Sequence, residues 1–409
     1  MSYEPINTGV SMSQDLKAEI ITKLRLRYQE SGKAEKGLIL NELCANFDYN
    51  RKYAIRKLSG REDRKKKKRG RKNTYSEKAI THLKKLWLLM DQLCSKNLVA
   101  ALPEWLKHYS EADDAIKQEI IKMSPSTIDR RLSNYKAETG RKLRTGTKPG
   151  SLLRHVIPIK THNYNINEPG FAEADTVAHC GGSMSGEFIW SLTLTDIYSG
   201  WTEDRAVWGK GSGGIISALS SIQDNLPFDL VALNVDNGTE FLNDHLVRYL
   251  SINDAGRKRI DLSRSRPYIK NDNCHVEQKN WTHVRQLFGY ERFDDKQLVL
   301  LMNSIYSEQQ SLLQNFFVPQ AKLLRKERSG AKYKRTYSAP KTPYQRILEC
   351  DSVSEETKQK LTTLYNTLNP FDLRKQRQIK INNFTKLLNK KSDKGGNEND
   401  DQSNQSIAA

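Results

Sequence analysis

The chain has 409 residues, 37% of them apolar, enough for two to four domains of roughly 150 residues but lean for one large core. Lys and Arg outnumber Asp and Glu by 67 to 48, a net charge of +19, which favours a polyanionic partner, nucleic acid before an anionic membrane surface. No apolar run approaches the roughly 20 residues that span a bilayer. The first residues lack the basic-then-apolar order of a signal peptide. Five scattered cysteines (Cys44, Cys94, Cys180, Cys274, Cys350) form no CxxC pair, which argues against a disulfide framework or a zinc knuckle. The expectation is a cytoplasmic protein of a reducing compartment, with no membrane partner and no small-molecule substrate.

Residues 1–62 read as a helical domain. Leu16, Ile20, Ile21, Leu24 and Tyr28 recur at helical spacing, and a second pattern over 38–47 leads into 49–58, which carries Arg51, Lys52, Arg56 and Lys57. Two short helices closed by a basic third match a helix-turn-helix, whose last helix enters the major groove; the alternative is a small bundle with a solvated basic face. Residues 63–75 form a basic linker in which Arg69 and Arg71 could lie in a minor groove, as homeodomain arms do, or simply be solvated. A second helical domain spans 76–140. Ile80, Leu83, Leu86, Trp87 and Met90 make its first stripe, and Ser124-Pro125 reads as an N-cap and first helical position. The helix that follows presents Thr127, Asp129, Arg130, Arg131 and Asn134, a second helix-turn-helix candidate. Residues 141–170 read as a linker.

From 171 to 320 the period changes. Residues 172–179, 187–195 and 201–208 are alternating or β-branched runs, followed by a helix over 214–226, a buried strand over 230–235, a helix over 240–250, a short strand over 260–263 and a helix over 273–289. On that last helix Trp281, Val284 and Phe288 fall down one side. Three antiparallel strands followed by alternating helix and strand make an α/β layer. Between residues 171 and 290 there are fifteen acidic and eleven basic residues, so a mildly acidic middle sits between strongly basic flanks. Residues 321–390 form a basic C-terminal region; its first part, 322–346, carries Lys334 and Arg335 among interleaved tyrosines and reads as either a small β module or an extended arm on DNA, and 361–388 reads as helical around Asn369-Pro370. Residues 391–409 are polar, and their composition predicts disorder.

Three acidic residues have unusual placements. Asp175 sits inside the first strand, where an inward carboxylate is costly unless paired or ligating a cation. Asp236 follows the apolar run 230–235, at the carboxyl end of a buried strand, where open α/β sheets place their active sites. Glu277 lies on the helix opened by Asn271-Asp272-Asn273 and shares a face with Asn273, Asn280 and Trp281. Three carboxylates from different elements, without a His/Cys set, make an oxygen-donor site suited to Mg²⁺ or Mn²⁺ rather than zinc. Two such ions can activate a hydroxyl and stabilise the leaving oxygen of a phosphodiester without a covalent enzyme intermediate. Other acids have structural readings. Glu173 shares the face of Asp175 but falls near the strand start, Asp196 suits a cap on the Tyr198-Ser199-Gly200 turn, Glu240 suits its helix's first turn, and Asp272 an N-cap. His275 lacks partners at ligand spacing and reads as a helix-start or DNA-contact residue.

At these residues the chain resembles the catalytic core of retroviral integrases and bacterial insertion-sequence transposases, a family with an RNase H-like fold. The resemblance rests on an Asp on the first strand, the Asp236-to-Phe241 block DNGTEF, and NDNCHVEQKNW around Glu277, with sixty and forty residues between the three acids. RSRPY at 264–268 and KTPYQR at 341–346 also look like the insertion-sequence branch. The resemblance implies a multidomain α/β chain: an RNase H-like mixed-sheet catalytic core, preceded by helical helix-turn-helix domains and followed by a small basic region. It implies a metal-dependent DNA transposase that nicks 3′ ends and transfers strands, with Asp175, Asp236 and Glu277 holding two Mg²⁺ or Mn²⁺ ions and Lys279 and Arg285 directed at phosphate. Its partners would be double-stranded DNA, element ends and target, with a homo-oligomer assembled on it at the bacterial nucleoid. The amino-terminal His/Cys zinc module of retroviral integrases is missing. Two other readings stay open: a catalytically silent, transposase-derived DNA-binding regulator, and an RNase H-like nuclease that hydrolyses without joining.

Overall fold

Three helices build the first of the two units into which the chain divides, Met1–Thr74 and Tyr75–Ala409. The computed structural model describes residues 14–59, 74–139, 166–236, 241, 244–251, 260–265, 274–330 and 332–403. In the first unit α1 (Gln14–Glu30), α2 (Lys33–Phe47) and α3 (Arg51–Leu58) bury Leu24, Ile39, Leu40, Leu43, Ala54 and Leu58 together, the product of i, i+3, i+4 spacing on each helix. Asp48 takes a left-handed conformation (φ 51°) that ends α2, and the Asn50 side chain accepts the Lys52 N–H to cap α3. The turn between the two helices is therefore three residues long. Arg69 and Arg71 lie outside the described residues.

The second unit begins with α4 (Glu77–Leu89), α5 (Ser95–Lys107), α6 (Asp114–Ile121) and α7 (Pro125–Thr139). Side chains of Ser76 and Asp113 cap α4 and α6, and Ser124 Oγ accepts the Thr127 N–H at 3.3 Å, so the Ser-Pro pair opens α7 as its sequence predicts. These helices do not close a core among themselves. Leu83, Trp87, Leu102, Trp105 and Ile128 share one hydrophobic cluster with Trp201, Phe316, Phe317, Tyr344 and Leu373, far along the chain. Trp105 Nε1 donates to the Phe317 carbonyl at 3.1 Å within it.

Five strands, β1 (Phe171–Ala178), β2 (Ile189–Asp196), β3 (Thr202–Trp208), β4 (Ala232–Val235) and β5 (Asp261–Arg264), form one sheet in the order β3-β2-β1-β4-β5. β1 pairs antiparallel with β2 and β2 with β3, whereas β1 with β4 and β4 with β5 are parallel. Loops without a crossover helix, over 179–188 and 197–201, join the antiparallel pairs, while α8 (Ser212–Gln223) and α9 (Asp244–Ser251) lie between the strands added later. This is the RNase H-like mixed sheet expected of the core. Alternation along each strand divides the faces. Ala172, Ala174, Ala178, Leu192 and Leu194 pack with Ile215, Leu219, Leu246 and Leu250 of α8 and α9.

The opposite face is covered by two long helical stretches. The first is α10 (Cys274–Lys279), continued by a π-helical segment Asn280–Arg285 and by α11 (Gln286–Phe288); the second is α12 (Leu298–Ile305), a π segment Tyr306–Gln310 and α13 (Ser311–Phe317). Val284 and Phe288 are buried there with Val177, Ile189, Met302 and Tyr306, but Trp281 is only half-buried. The single apolar side expected of Trp281, Val284 and Phe288 is broken because the π segment, with i→i+5 bonding, changes the angular spacing after Lys279.

A hairpin of β6 (Leu323–Ser329) and β7 (Lys332–Tyr337) follows, so the basic segment is a β module. Then come α14 (Pro343–Leu348), α15 (Glu355–Thr367) and α16 (Pro370–Ser403). The last helix continues past Lys391, where composition predicts disorder, since extending a formed helix costs little per residue compared with starting one. Among the described residues no helix is long and apolar enough to cross a membrane.

Candidate active site

The parallel pairing of β1 with β4 ends at Ala174 beside Val235. The residues that follow are Asp175 and Asp236, so two carboxylates emerge at one level from adjacent strands, at the carboxyl end of β4. Both are half-buried. Asp175 is held at each oxygen: Oδ1 accepts the Thr176 N–H at 2.8 Å and Oδ2 accepts Asn280 Nδ2 at 2.6 Å. Asn280 lies three residues beyond Glu277, so the two are neighbours on one face of the helix. Glu277 itself is exposed. The start of α10 is anchored as well. Glu173, only 3% exposed, accepts the backbone N–H groups of His275 and Val276 through one oxygen, at 2.8 and 3.1 Å. Both ends of α10 thus touch β1, the entry on Glu173 and the exit on Asp175, with Glu277 between them.

The donor set is all oxygen, which suits a hard divalent cation. Among the described residues no three His, Cys, Asp or Glu side chains converge on one ion position. The three acids are related pairwise, Asp175 to Asp236 through the strand register and Asp175 to Glu277 through Asn280. Residues 237–240 and 266–273, including Asn237, Glu240, Asp272 and Asn273, lie outside the described residues.

Behind α10 the sheet face is polar. Thr193 Oγ1 donates to Asp204 Oδ1 at 2.8 Å, and His283 Nδ1 lies 3.1 Å from Asp204 Oδ2, all buried. Burial lowers the His283 pKa against the attraction of Asp204. Ser191 Oγ links His179 Nε2, at 2.8 Å, to the Tyr306 hydroxyl, at 2.7 Å, and burial, with Arg285 adding to it, pushes the His179 pKa down to about 3.

Lys279 belongs to this layer and not to the surface. It is buried, and desolvation pushes its pKa down to about 7 although Asp204 attracts its charge. Helical spacing explains why: Lys279 follows Val276 by three and precedes His283 by four, and those two face the sheet. Arg285 is likewise committed, donating to the carbonyls of Ala178 at 2.9 Å and Gly289 at 3.2 Å. Neither residue is therefore placed as the phosphate contact expected from the sequence.

The other basic candidates differ in exposure. Arg51, Lys52 and Arg56 are exposed on α3, and Arg56 lies over the Tyr53 ring at 5.1 Å. On α7 Arg130 is exposed and Arg131 half-buried, while Asp129 is taken up by Ser95 and Lys136, each at 2.7 Å. Lys334 and Arg335 stand on β7, whose residues are all exposed. A cleft of about 730 Å³ beside α10 is lined by Lys96, Asn97, Gln278, Thr282, Arg335 and Tyr337, among others.

Several motif residues turn out to be architectural. Asp196 accepts Gly170 N at 2.8 Å and both Ser199 N and Oγ at 2.6 Å, the turn cap expected of it. In KTPYQR, Thr342 and Gln345 form a capping box for α14, Tyr344 is buried, and Arg346 donates to the Ser199 and Gln320 carbonyls. Glu173 and Asn280 are the residues whose part the sequence undersold. The period-two alternation that pairs Glu173 with Asp175 was the available signal.

Known protein families provide no match to the chain. It is 34% identical, over 343 residues covering 82% of this chain and 96% of the relative, to a protein of Sinorhizobium fredii described as "Uncharacterized protein y4rM". Among solved structures it is similar to the catalytic core domain of BIV integrase, with a TM-score of 0.28 and 15% identity over 44% of this chain and 94% of that one. It is also similar to a chain of the simian T-cell lymphotropic virus intasome in complex with the PP2A regulatory subunit B56 gamma, with a TM-score of 0.28 and 15% identity over 58% of this chain and 87% of that one.

Proposed function

The chain belongs to the same family as the Sinorhizobium fredii protein y4rM, and we propose that it is a DNA transposase that nicks 3′ ends and joins them to a target with divalent metal. The observation that carries the reading is the emergence of Asp175 and Asp236 from adjacent parallel strands, with the Glu277 helix tied to the same strand at both ends. Asp175, Asp236 and Glu277 would hold the metal, the first two from adjacent strand ends and the third from the helix above them. Bound Mg²⁺ or Mn²⁺ supplies activation of the attacking hydroxyl and stabilisation of the leaving oxygen. The protein's own work is to hold three carboxylates at fixed orientation, and Asn280 does so for Asp175 through its 2.6 Å bond. Double-stranded DNA is the partner, held by the exposed cations Arg51, Lys52, Arg56, Arg130, Lys334 and Arg335 through phosphate contacts. Two DNA ends must be brought together, so the acting form is a homo-oligomer on DNA in the bacterial cytoplasm.

The test uses the purified chain, Mg²⁺ or Mn²⁺, and a duplex carrying the inverted repeats that flank its gene. Cleavage and joining are expected, and Asp236→Asn should slow both on the order of a thousandfold, ~4 kcal/mol of barrier. Full activity of Asp236→Asn sinks the mechanism. Specific binding without cleavage under any divalent ion makes the chain a silent regulator, and hydrolysis without joining makes it a nuclease.

A further inference from the structure

Resting on that reading, we infer that Glu173 is a positioning residue: its carboxylate clamps the start of the Glu277 helix to β1 and thereby sets where Glu277 stands relative to Asp175 and Asp236. Glu173 is buried on a central strand, where an acid lacking strong partners is costly. Among its partners are two backbone N–H groups at the start of α10, both received by the single oxygen Oε2. Such groups have no acceptor within their own helix, so one side chain satisfies two orphan donors and adds negative charge at the helix end that favours it.

The residues held are His275 and Val276, which immediately precede Glu277. On the other side Asn280 is bonded to Asp175. Glu277 therefore sits on a short span fixed at both ends to the strand that carries the first acid. The exposed Glu277 side chain takes its position from that backbone, and supports of this kind behind a ligand typically change metal affinity ten- to a hundredfold when lost.

A clamp and a metal ligand make opposite demands on position 173. A clamp needs an acceptor oxygen at the right reach, which a glutamine amide supplies without charge. A ligand needs the negative charge, which an aspartate keeps one methylene short. In the full-length protein without DNA, Mn²⁺ affinity is read from the electron paramagnetic resonance signal of the free ion, and amide hydrogen exchange is followed at residues 275 and 276. Glu173→Gln should bind Mn²⁺ within about threefold of the parent protein and keep both amides slow, whereas Glu173→Asp and Glu173→Ala should bind about tenfold or more weakly with both amides fast. The Asp variant keeps the comparison informative where the Ala variant fails to fold, as its thermal melt reveals. Asp binding better than Gln overturns the clamp in favour of a fourth ligand, and equal exchange of the two amides in all variants overturns it outright. A parent protein that binds no Mn²⁺ counts against the metal-dependent reading, while the exchange rates still decide the clamp.

Discussion

On the face of the sheet covered by α8 and α9, β1 and β2 present Ala172, Ala174, Ala178, Leu192 and Leu194 to Ile215, Leu219 and Leu250. On the face covered by α10 to α13, the same strands present Glu173, Asp175, His179, Ser191 and Thr193, bonded to helix backbone, Asn280, Tyr306 and Asp204. The apolar face is stabilised by burial, which is non-directional and tolerates small shifts. The other face has its own apolar cluster around Val177, Ile189, Phe288 and Met302 and adds directional bonds, which are costly to leave unmade and so favour one seat for the helix above it. The carboxylates emerge at the rim of that face, where small shifts in the seat of α10 move Glu277.

The difference can be tested where its effect should be largest. Asp204→Ala strands Thr193 and His283 in the buried layer and should cost about 2–6 kcal/mol of unfolding free energy, about 1–3 kcal/mol for each buried partner left unsatisfied. Denaturant unfolding measures it, and a cost below about 1 kcal/mol, the worth of an ordinary hydrogen bond, would mean that the layer is not held through Asp204.

A smaller effect comes from pH. His179 and His283 both have folded pKa values below the ordinary 6.5, so between those values and 6.5 the unfolded chain binds protons that the folded chain does not. Their contribution is complete above 6.5 and is lost as the pH falls below it. Moving from pH 7 to pH 5 should cost about 2 kcal/mol through His179, whose pKa is pushed down to about 3, with His283 adding to the loss in the same direction. Unfolding free energies that are equal at the two values would remove these histidines from the account.

The smallest effect sharpens what the polarity is for. Thr195 and Thr202 share a hydroxyl hydrogen bond of 3.1 Å on the polar side. Replacing both by valine removes the hydroxyl pair together and leaves behind only the Gly200 carbonyl that Thr202 Oγ1 also meets at 3.1 Å, so the double variant should cost about 1 kcal/mol, less than the two single replacements summed. A double variant worse than the sum of the singles would show that this hydroxyl pair supports more than itself.

Much of the core was legible in the chain. Alternation located β1, β2 and β3 to within a residue or two, and the apolar run before Asp236 located β4, because strand periodicity is local and strong there. The same alternation puts Glu173 beside Asp175, but its role is hidden in the sequence because the helix that needs its oxygen arrives about a hundred residues later. Lys279 failed for a related reason: a lysine in a polar stretch reads as solvent-facing until the helix is docked, and docking places it beside Asp204.

By itself the sequence determined the charge division, the order of strands and helices, and the spacing of Asp175, Asp236 and Glu277, since these are properties of composition and local period. Tertiary structure alone decided which side chains share a core and which acids serve as supports. Trp105 meets Phe317 and Tyr344 meets Trp201's cluster across long stretches of chain, and Glu173 acquires its two N–H donors only when α10 lies on β1. Burial and hydrogen-bond satisfaction act between groups brought together in space, and no local pattern carries that distance.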